Sequence, residues 1–487
     1  MGTFSRRMPP EIIREIFSHV FSSPLQIGCA GQFPWYLGQI CSQWRTLFFS
    51  MQSVFWRTIE INYLPYGCDC EGPNQRESSQ RIDEILTFFL KRTRAEPFSF
   101  TLFEDTSYMW QQEYHVRWIV QVLLEHSRQW DQATIQLKWP EMRLLRAAKG
   151  HLPLLKKLNL SVPDDDLEDR PPAFLAGHAS LISPDLTIFR DAPLLTEVSL
   201  RKIPDWQFNW SSLTMLDLDD IPKEDNTKIF NILRETVNLV VLWISDAFSL
   251  VTVNHEVSTK GLIQFPCLKC LYLHGMELLT ALEVPALERL QVAFDSYDNG
   301  TQDASGMIAF LSRSRPRLET FVVTGAQGAT IKEVLPYMSN IENLILREMR
   351  DLRSVFKWLA ERPDPRMGCL TVLDGPKYQY SSIPRALVQR EDLEALHDMI
   401  ARRNPPGDVG NPSSQMLFLQ TPDEGQGISE RLKLLCRDKG IPLQFVNAEE
   451  EGSNLSCYVD KFRSYVNGLT DKGTQLALGR NPKCASY

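Results

Sequence analysis

The sequence predicts an α/β protein. A small N-terminal helical bundle precedes a solenoid, a horseshoe of repeats with a parallel sheet on its concave side and helices on its outer side. Three observations predict this fold. Apolar residues recur twice at helical spacing between Ile12 and Met51. Beyond residue 150, the pattern Leu-x-x-Leu-x-Leu returns with relaxed apolar choices. Proline stands two residues before the first leucine in several copies, where it can start a strand without losing a ladder hydrogen bond.

The composition is that of a globular protein with more than one packed unit: 487 residues, 43% hydrophobic and 23% charged, with a formal net charge of −8. No clustered basic run favours a nucleic-acid partner. The mixed residues after Pro10 do not form a signal peptide, and no stretch approaches the roughly 18 apolar residues of a membrane span. We therefore expect a cytoplasmic or nuclear protein without a membrane partner. The ten cysteines are scattered and predict reduced thiols, with no metal site and no cofactor.

The first helix is predicted to open at Pro9-Pro10-Glu11, because a proline in the first turn lacks only an N–H that has no intrahelical partner. Its apolar stripe consists of Ile12, Ile13, Ile16, Phe17 and Val20. A loop containing Gly, Ser and Pro follows over 21–34. A second helical stripe comprises Leu37, Ile40, Cys41, Trp44 and Leu47. The module closes on Phe55 and Trp56, and its core is thin enough that docking on a partner would stabilise it.

Three stretches of this module carry a family resemblance. They are Met8-Pro9-Pro10-Glu11-Ile12-Ile13-x-x-Ile16-Phe17, then Pro34-Trp35-x-Leu37-Gly38-x-Ile40-Cys41-x-x-Trp44-Arg45, then Trp56. The module resembles the F-box and looks most like the version found in the large F-box families of mushroom-forming fungi. The resemblance implies that it binds a Skp-type adaptor and, through the adaptor, a cullin ubiquitin ligase. The implied adaptor face comprises Pro9, Pro10, Glu11, Ile12, Ile13, Ile16 and Phe17. Trp44 and Trp56 would hold the bundle together and add to that face.

The module departs from the F-box pattern in two places. Met8 stands where leucine is usual, which changes the shape at similar hydrophobicity. The loop between the first two helices is also long. The alternative interpretation is that the module is only an N-terminal cap for the fold that follows.

The body is a degenerate leucine-rich repeat. Its copies begin at Leu155, Leu195, Leu213, Leu239, Leu268, Leu287, Leu318, Ile341 and Leu370. Successive copies lie about 18 to 40 residues apart, and most steps fall near the leucine-rich-repeat period of about 20–29. The prolines that precede copies are Pro153, Pro193, Pro266, Pro285 and Pro316. No copy has an asparagine three residues after its last leucine. An asparagine ladder therefore cannot hold the turns, and we expect an irregular leucine-rich-repeat solenoid.

The domain boundaries follow from these patterns: an F-box domain over 1–61 with its core at 8–56, a linker loop over 62–80, the repeat body over 81–446 and a partly disordered tail over 447–487. Helices are predicted at Ile85–Leu90, Ile119–Leu124, Arg385–Arg403 and Ser429–Lys439. Strands outside the repeat copies are predicted at Pro97–Leu102, Ala133–Leu137, Met416–Leu419 and Pro442–Val446.

A target-binding surface is predicted on the strand positions that face away from the leucines. The residues between the last two leucines of each copy are Asn159, Ser199, Asp217, Trp243, Tyr272, Gln291, Val322, Ile345 and Asp374. The next row includes Arg201, Asp219, His274 and Arg347. A tryptophan beside a tyrosine, flanked by polar residues, is the composition of an interface hot spot. The candidate set is Asp217, Asp219, Trp243, Tyr272, His274, Gln291 and Arg347. The alternative is that the aromatic residues only pack beneath a loop or the C-terminal segment.

The expected function is non-catalytic, because no nucleophile elbow, zinc-binding histidine pair or dinucleotide fingerprint occurs. We expect a substrate receptor of a Skp–cullin–F-box ubiquitin ligase, in which the repeat body binds an unidentified target protein. The alternatives are an F-box scaffold outside any ligase and a plain leucine-rich-repeat interaction module.

Overall fold

The protein is described from a computed structural model. The described residues are 8–20, 25–27, 38, 40–50, 57–63, 75–93, 96–104, 113–162, 187–201, 206–219, 226–245, 250–294, 304–338, 341–347, 349, 351–361, 369–373, 390–403, 416–420, 434–437 and 443–446. The chain divides into two compact units, Met1–Pro222 and Lys223–Tyr487, called here the first and the second unit. The predicted tail over 447–487 lies outside the described residues.

The first unit combines helices with a parallel sheet. Its described helices are α1 (Pro10–Val20), α2 (Ser42–Ser50), α3 (Gln75–Thr93), α4 (Glu113–Glu125) and α5 (Trp139–Met142). Its strands are β1 (Leu25–Ile27), β2 (Thr58–Tyr63), β3 (Phe98–Glu104), β4 (Trp130–Gln136), β5 (Lys157–Ser161), β6 (Glu197–Arg201) and β7 (Met215–Asp219). These strands pair in chain order, each parallel to the one before it.

The second unit has the same organisation. Its described helices are α6 (Asn226–Glu235), α7 (Leu250–Lys260), α8 (Ser305–Ser314), α9 (Gly328–Val334), α10 (Leu352–Glu361) and α11 (Arg390–Arg403). Its strands are β8 (Val241–Ile244), β9 (Ile263–Gln264), β10 (Cys270–His274), β11 (Leu282–Glu283), β12 (Arg289–Ala293), β13 (Thr320–Thr324), β14 (Asn343–Arg347), β15 (Cys369–Leu373), β16 (Met416–Gln420) and β17 (Leu443–Val446). The parallel order is β8-β10-β12-β13-β14-β15-β16-β17, while β9 and β11 pair separately. The predicted α/β class with a parallel sheet is confirmed.

The strands lie where the repeated pattern predicts them. In eight copies the strand begins two residues after the first leucine, as β5 does after Leu155. The second and third leucines are buried, and Leu158 and Leu160 are each 2% exposed. The strand register aligns equivalent repeat positions of neighbouring strands: Leu158 pairs with Val198, and Leu160 pairs with Leu200. Side chains alternate between the faces of a strand, and the pattern therefore separates a buried leucine face from an opposite face.

The ninth copy was predicted in the wrong register. Leu370 pairs with Leu344, which is the second leucine position of its own copy, and not with Ile341. The copy therefore begins three residues earlier, at Met367, which stands at a position where the pattern predicts leucine. Thr371, and not Asp374, occupies the position beside Ile345. Asp374 itself lies outside the described residues.

Three further elements differ from the predicted boundaries. Leu25–Ile27 forms β1 inside the predicted loop, because three residues are too few to show an alternating pattern. Helix α3 begins at Gln75 inside the predicted 62–80 linker, since its first turns are polar and show no apolar stripe. Strand β2 crosses the predicted boundary at residue 61 and pairs with β3. The sheet thus begins within the predicted N-terminal domain.

Arginine side chains tie neighbouring segments of the second unit together. The Arg313 guanidinium donates to the carbonyl oxygens of Leu279 (3.0 Å), Thr280 (3.3 Å) and Leu282 (2.6 Å). Arg234 donates to the Gly261 carbonyl at 2.9 Å, just beyond the end of α7. Carbonyl groups at turns and helix ends need donors from outside the element, and these arginines supply them where no asparagine ladder is present.

No described helix combines the length and the hydropathy that a bilayer crossing requires.

Candidate protein-interaction sites

Helix α1 begins as the two prolines predict. The N–H groups of Ile12 and Ile13 donate to the Pro9 carbonyl at 3.1 and 3.3 Å, which closes the first turn. Glu11 lies in the first turn, at the end of the helix dipole that favours a negative charge. The predicted start of the helix is therefore confirmed.

The apolar stripe of α1 faces the interior of the module. Ile13 and Phe17 are both 0% exposed. The Phe17 ring meets Trp44 edge-on at 5.1 Å between centroids and meets Phe48 at 6.3 Å. The resemblance places Ile13 and Phe17 on the adaptor face, whereas in this structure both side chains are buried within the module. Ile16 and Trp44 are half-buried.

The accessible part of α1 is its first turn. Pro9, Pro10 and Glu11 are exposed. Ile12 is a large apolar side chain that is 50% exposed, and Ile40, just before α2, is 49% exposed. The apolar spacing predicts that Ile40 belongs to a helical stripe, and no sequence signal distinguishes it as a surface residue. Trp56 lies outside the described residues.

Helix α2 is fastened to α3, which precedes strand β3. The Arg92 guanidinium carbon lies 4.7 Å from the Phe49 ring centroid and 5.0 Å from that of Phe88. Arg92 also donates to the Phe49 carbonyl oxygen at 3.2 Å. The Phe49 and Phe88 rings are themselves 5.9 Å apart. The helical module is thus held to the sheet-bearing part of the first unit by cation–π, aromatic and hydrogen-bond contacts.

The first-unit face, defined as the strand positions of β2 to β7 opposite the leucines, is polar and internally paired. Its central row is Glu60, Thr101, Thr134, Asn159, Ser199 and Asp217. Asp217 is 3% exposed and accepts a hydrogen bond from Ser199 Oγ at 2.9 Å. Asp219 lies 3.8 Å from Arg201, and Glu197 lies 3.0 Å from Lys157. The two predicted aspartates therefore interact with the adjacent strand.

The second-unit face is defined as the corresponding positions of β8, β10, β12, β13 and β14. Its central row is Trp243, Tyr272, Gln291, Val322 and Ile345. Trp243 stacks on Tyr272 with 3.8 Å between ring centroids and 16° between ring planes. Trp243 and Gln291 are each 7% exposed, whereas Tyr272 and Ile345 are partly exposed. Trp243 is therefore a packing residue here, and Tyr272 is the accessible member of the aromatic pair.

The remaining predicted residues share one edge of the second-unit face. Register places His274, Ala293, Thr324 and Arg347 in one row at the carboxyl ends of their strands. His274 and Arg347 are both half-exposed. The structure thus brings Tyr272, His274, Gln291 and Arg347 to one face of the second unit, while Asp217 and Asp219 belong to the first unit.

The described residues contain no group of three His, Cys, Asp or Glu side chains arranged to hold a metal ion. Comparison with known proteins gives no further assignment: no protein-family model and no curated protein matches this chain.

Proposed function

We propose that this chain is a substrate receptor of a Skp–cullin–F-box ubiquitin ligase in the cytoplasm or nucleus. One observation carries the proposal. The stretch that resembles the F-box forms a helix whose buried residues, Ile13 and Phe17, leave the neighbouring Ile12 half-exposed. The helix is held in the module by its buried face, and its first turn presents an exposed isoleucine beside two exposed prolines. A partner protein can cover a surface of this kind.

The proposal includes a finer description of the fold. Residues 8–56 are assigned as an F-box bundle, and the strands with buried leucines as an irregular leucine-rich-repeat solenoid. The edge-to-face contact of Phe17 with Trp44 supports the first assignment. The regular offset between first leucine and strand start in eight copies supports the second.

The receptor acts by proximity. The N-terminal module binds the adaptor, and a face of the repeat body holds a target protein close to the ubiquitin-conjugating enzyme. Holding two reactants together raises their effective concentration and contributes no reacting group. The receptor accordingly needs complementary surfaces and no catalytic side chain.

Co-expression with a Skp-type adaptor tests the proposal. Ile12→Asp places a charge on the exposed first turn, and Ile12→Leu is the matched control that keeps the apolar surface. We expect the wild-type chain and Ile12→Leu to co-elute with the adaptor, and Ile12→Asp to lose co-elution while remaining folded. Substitution of Ile13 or Phe17 is unsuitable, because both are buried and their loss would unfold the module.

Failure of the folded wild-type chain to co-elute would reduce the module to an N-terminal cap. Co-elution with the adaptor but not with a cullin would instead indicate a scaffold outside the ligase. Dependence of a target's half-life on this chain separates these two outcomes further.

A further inference from the structure

One patch of the first-unit face consists almost entirely of uncharged polar side chains. It comprises the face positions of β3, β4 and β5 and is called here the polar grid. Strand register arranges it in three rows: Ser99, Gln132 and Lys157, then Thr101, Thr134 and Asn159, then Phe103, Gln136 and Ser161. All nine side chains are at least partly exposed. None of them belongs to the candidate set that the sequence predicts for target binding.

The composition of the polar grid differs from that of an ordinary exposed surface, where charged residues are common. Seven of its nine residues are Ser, Thr, Asn or Gln, whose hydroxyl and amide groups both donate and accept hydrogen bonds. Lys157 is its charged member, and Glu197 on the next strand pairs with that ammonium group at 3.0 Å. Glu60 and Arg201 lie on the bordering strands β2 and β6. Asn159 stands in the middle of β5 although asparagine is depleted from strands, so strand formation does not explain its presence.

An uncharged surface of this kind discriminates against charged partners. A carboxylate or ammonium group pressed against the polar grid would lose its water and gain no opposite charge, which is costly. A neutral polar group exchanges its hydrogen bonds to water for hydrogen bonds to hydroxyl and amide groups, with a modest net gain. Serine and asparagine provide the same adaptable hydrogen bonding in antibody combining sites. The polar grid therefore fits a partner surface that is polar and uncharged.

The spacing of the rows matches an extended peptide segment. Adjacent rows lie two residues apart along each strand, about 6.6 Å. Side chains on one side of an extended segment repeat at the same interval, so a segment that lies along the strands places three alternate side chains on the three rows. Phe103, in the third row, is 37% exposed and offers an aromatic ring to an apolar side chain.

We propose that the polar grid binds an extended, uncharged segment of the target protein, with polar side chains on the first two rows and an apolar side chain against Phe103. The inference rests on the proposed target-binding role of the repeat body and not on adaptor binding.

Fluorescence anisotropy with a defined probe tests the inference on the full chain. The probe is the labelled peptide Ser-Ser-Thr-Asn-Thr-Leu-Ser with blocked ends, whose second, fourth and sixth side chains would face the three rows. Two matched peptides carry Glu or Lys in place of Asn. We expect the uncharged peptide to bind with an affinity that changes by less than about twofold between low and high salt, because the contact contains no charge to screen. Each charged peptide should bind at least about tenfold more weakly.

Two variants with the same chemical change locate the binding. Asn159→Asp places a carboxylate in the second row with little change in shape. It should weaken binding of the uncharged peptide by about fivefold or more, and it should bind the Lys peptide better than the wild-type chain does. Gln121→Glu makes the same amide-to-acid change at an exposed position of α4, outside the polar grid, and should leave every affinity unchanged.

A double-mutant cycle tests the contact with Phe103. Phe103→Ala and a peptide with Ser in place of Leu should each weaken binding by about fivefold, and the two changes together should weaken it little more than either alone. Multiplying losses in this cycle, equal binding of the three peptides, an equal loss in Gln121→Glu, or no binding by the folded wild-type chain would each overturn the inference.

Adaptor co-elution of the same variants separates this inference from the proposed function. We expect Asn159→Asp to keep the adaptor while losing the uncharged peptide. A wild-type chain that binds this peptide through the polar grid but never binds an adaptor would leave the inference standing and overturn the ligase assignment. A chain that keeps the adaptor but does not distinguish the three peptides would do the reverse.

Discussion

Arg92 and Phe49 connect the N-terminal helices to the sheet of the first unit: the guanidinium lies over the Phe49 ring and donates to the Phe49 carbonyl at 3.2 Å. Phe49 belongs to α2 and Arg92 to α3, and the sequence pattern predicts separate domains for these two residues. The contact couples the orientation of the α1–α2 module to α3, and therefore to the strands that follow.

Removing that contact should loosen the module. Arg92→Ala eliminates two cation–π contacts and one charge-assisted hydrogen bond, and we expect the free energy of unfolding to fall by about 1–3 kcal/mol. Urea denaturation measures the change. Lys91→Ala, an exposed neighbour on the same helix, is the control and should change stability by less than about 0.5 kcal/mol. Equal stability of the two variants would show that Arg92 does not fasten the module.

The two sides of α1 should respond differently to truncation. Phe17→Ala removes a fully buried ring that packs on Trp44 and Phe48, and we expect a loss of about 3–5 kcal/mol in stability. Ile12→Ala shortens a side chain that is 50% exposed and should cost no more than about 0.5 kcal/mol. Thermal or urea denaturation of both variants checks this order. A destabilised Ile12→Ala beside a stable Phe17→Ala would mean that the helix is rotated relative to this structure.

Arg313 should be important for the stability of the second unit. Its guanidinium satisfies three carbonyl groups, and Arg313→Met would leave these groups without their donor while keeping much of the aliphatic volume. We expect a loss of about 2–4 kcal/mol, measured by urea denaturation. Burial lowers the pKa of Arg313 and the Glu283 carboxylate opposes this shift, yet the side chain stays charged at neutral pH. Arg317→Met, at an exposed position near the same helix, is the matched control; an equal effect there would argue against the carbonyl contacts.

The Cys270 thiol should resist alkylation in the folded protein. Burial raises the pKa of Cys270 to about 11, and iodoacetamide reacts with the thiolate. We expect no labelling of Cys270 at pH 7.5 in the native chain and rapid labelling in denaturant, measured by mass spectrometry of the peptide that contains it. Native labelling as fast as denatured labelling would contradict the burial.

The same raised pKa has a consequence for stability at high pH. The folded state holds the Cys270 proton more tightly than the unfolded state, so its contribution is complete below the unfolded pKa. The contribution declines as pH rises from about 9 towards 11. Cys270→Ala should lack this part of the alkaline slope, and denaturation of both chains across that pH range measures the difference.

The sequence was informative wherever a periodic pattern meets a buried face. Leu158 and Leu160 identify a strand because side chains alternate, and the same spacing predicts its neighbours in register. The pattern could not predict β1, which has three residues, or the polar first turns of α3. It predicts the wrong register at Leu370, because methionine stands at the first leucine position of that copy.

The candidate sites were less predictable than the strands. An apolar stripe identifies Ile13 and Phe17 as residues of a helix face. Such a face usually packs on the core of its own module, as both residues do here, so the stripe does not identify a partner-binding surface. Contacts of long cations, such as Arg92 with Phe49 and Arg313 with Leu282, join residues 43 and 31 positions apart and leave no local spacing signal. Trp243 was assigned to an interface by composition, and its stack on Tyr272 shows why composition alone does not separate packing from binding.

The chain-order pairing of the strands has a consequence for biosynthesis. Strand β2 needs only β1 as a partner, β3 needs only β2, and the rule continues to β7. A chain that leaves the ribosome from its N-terminus can add each strand to a neighbour that has already been made, so pairing does not have to wait for distant residues. Contacts between sequence neighbours also keep the contact order low, which favours fast folding for a parallel sheet of this size. During translation, the edge that receives the next strand would always be the strand made last, while β1 stays at the opposite edge.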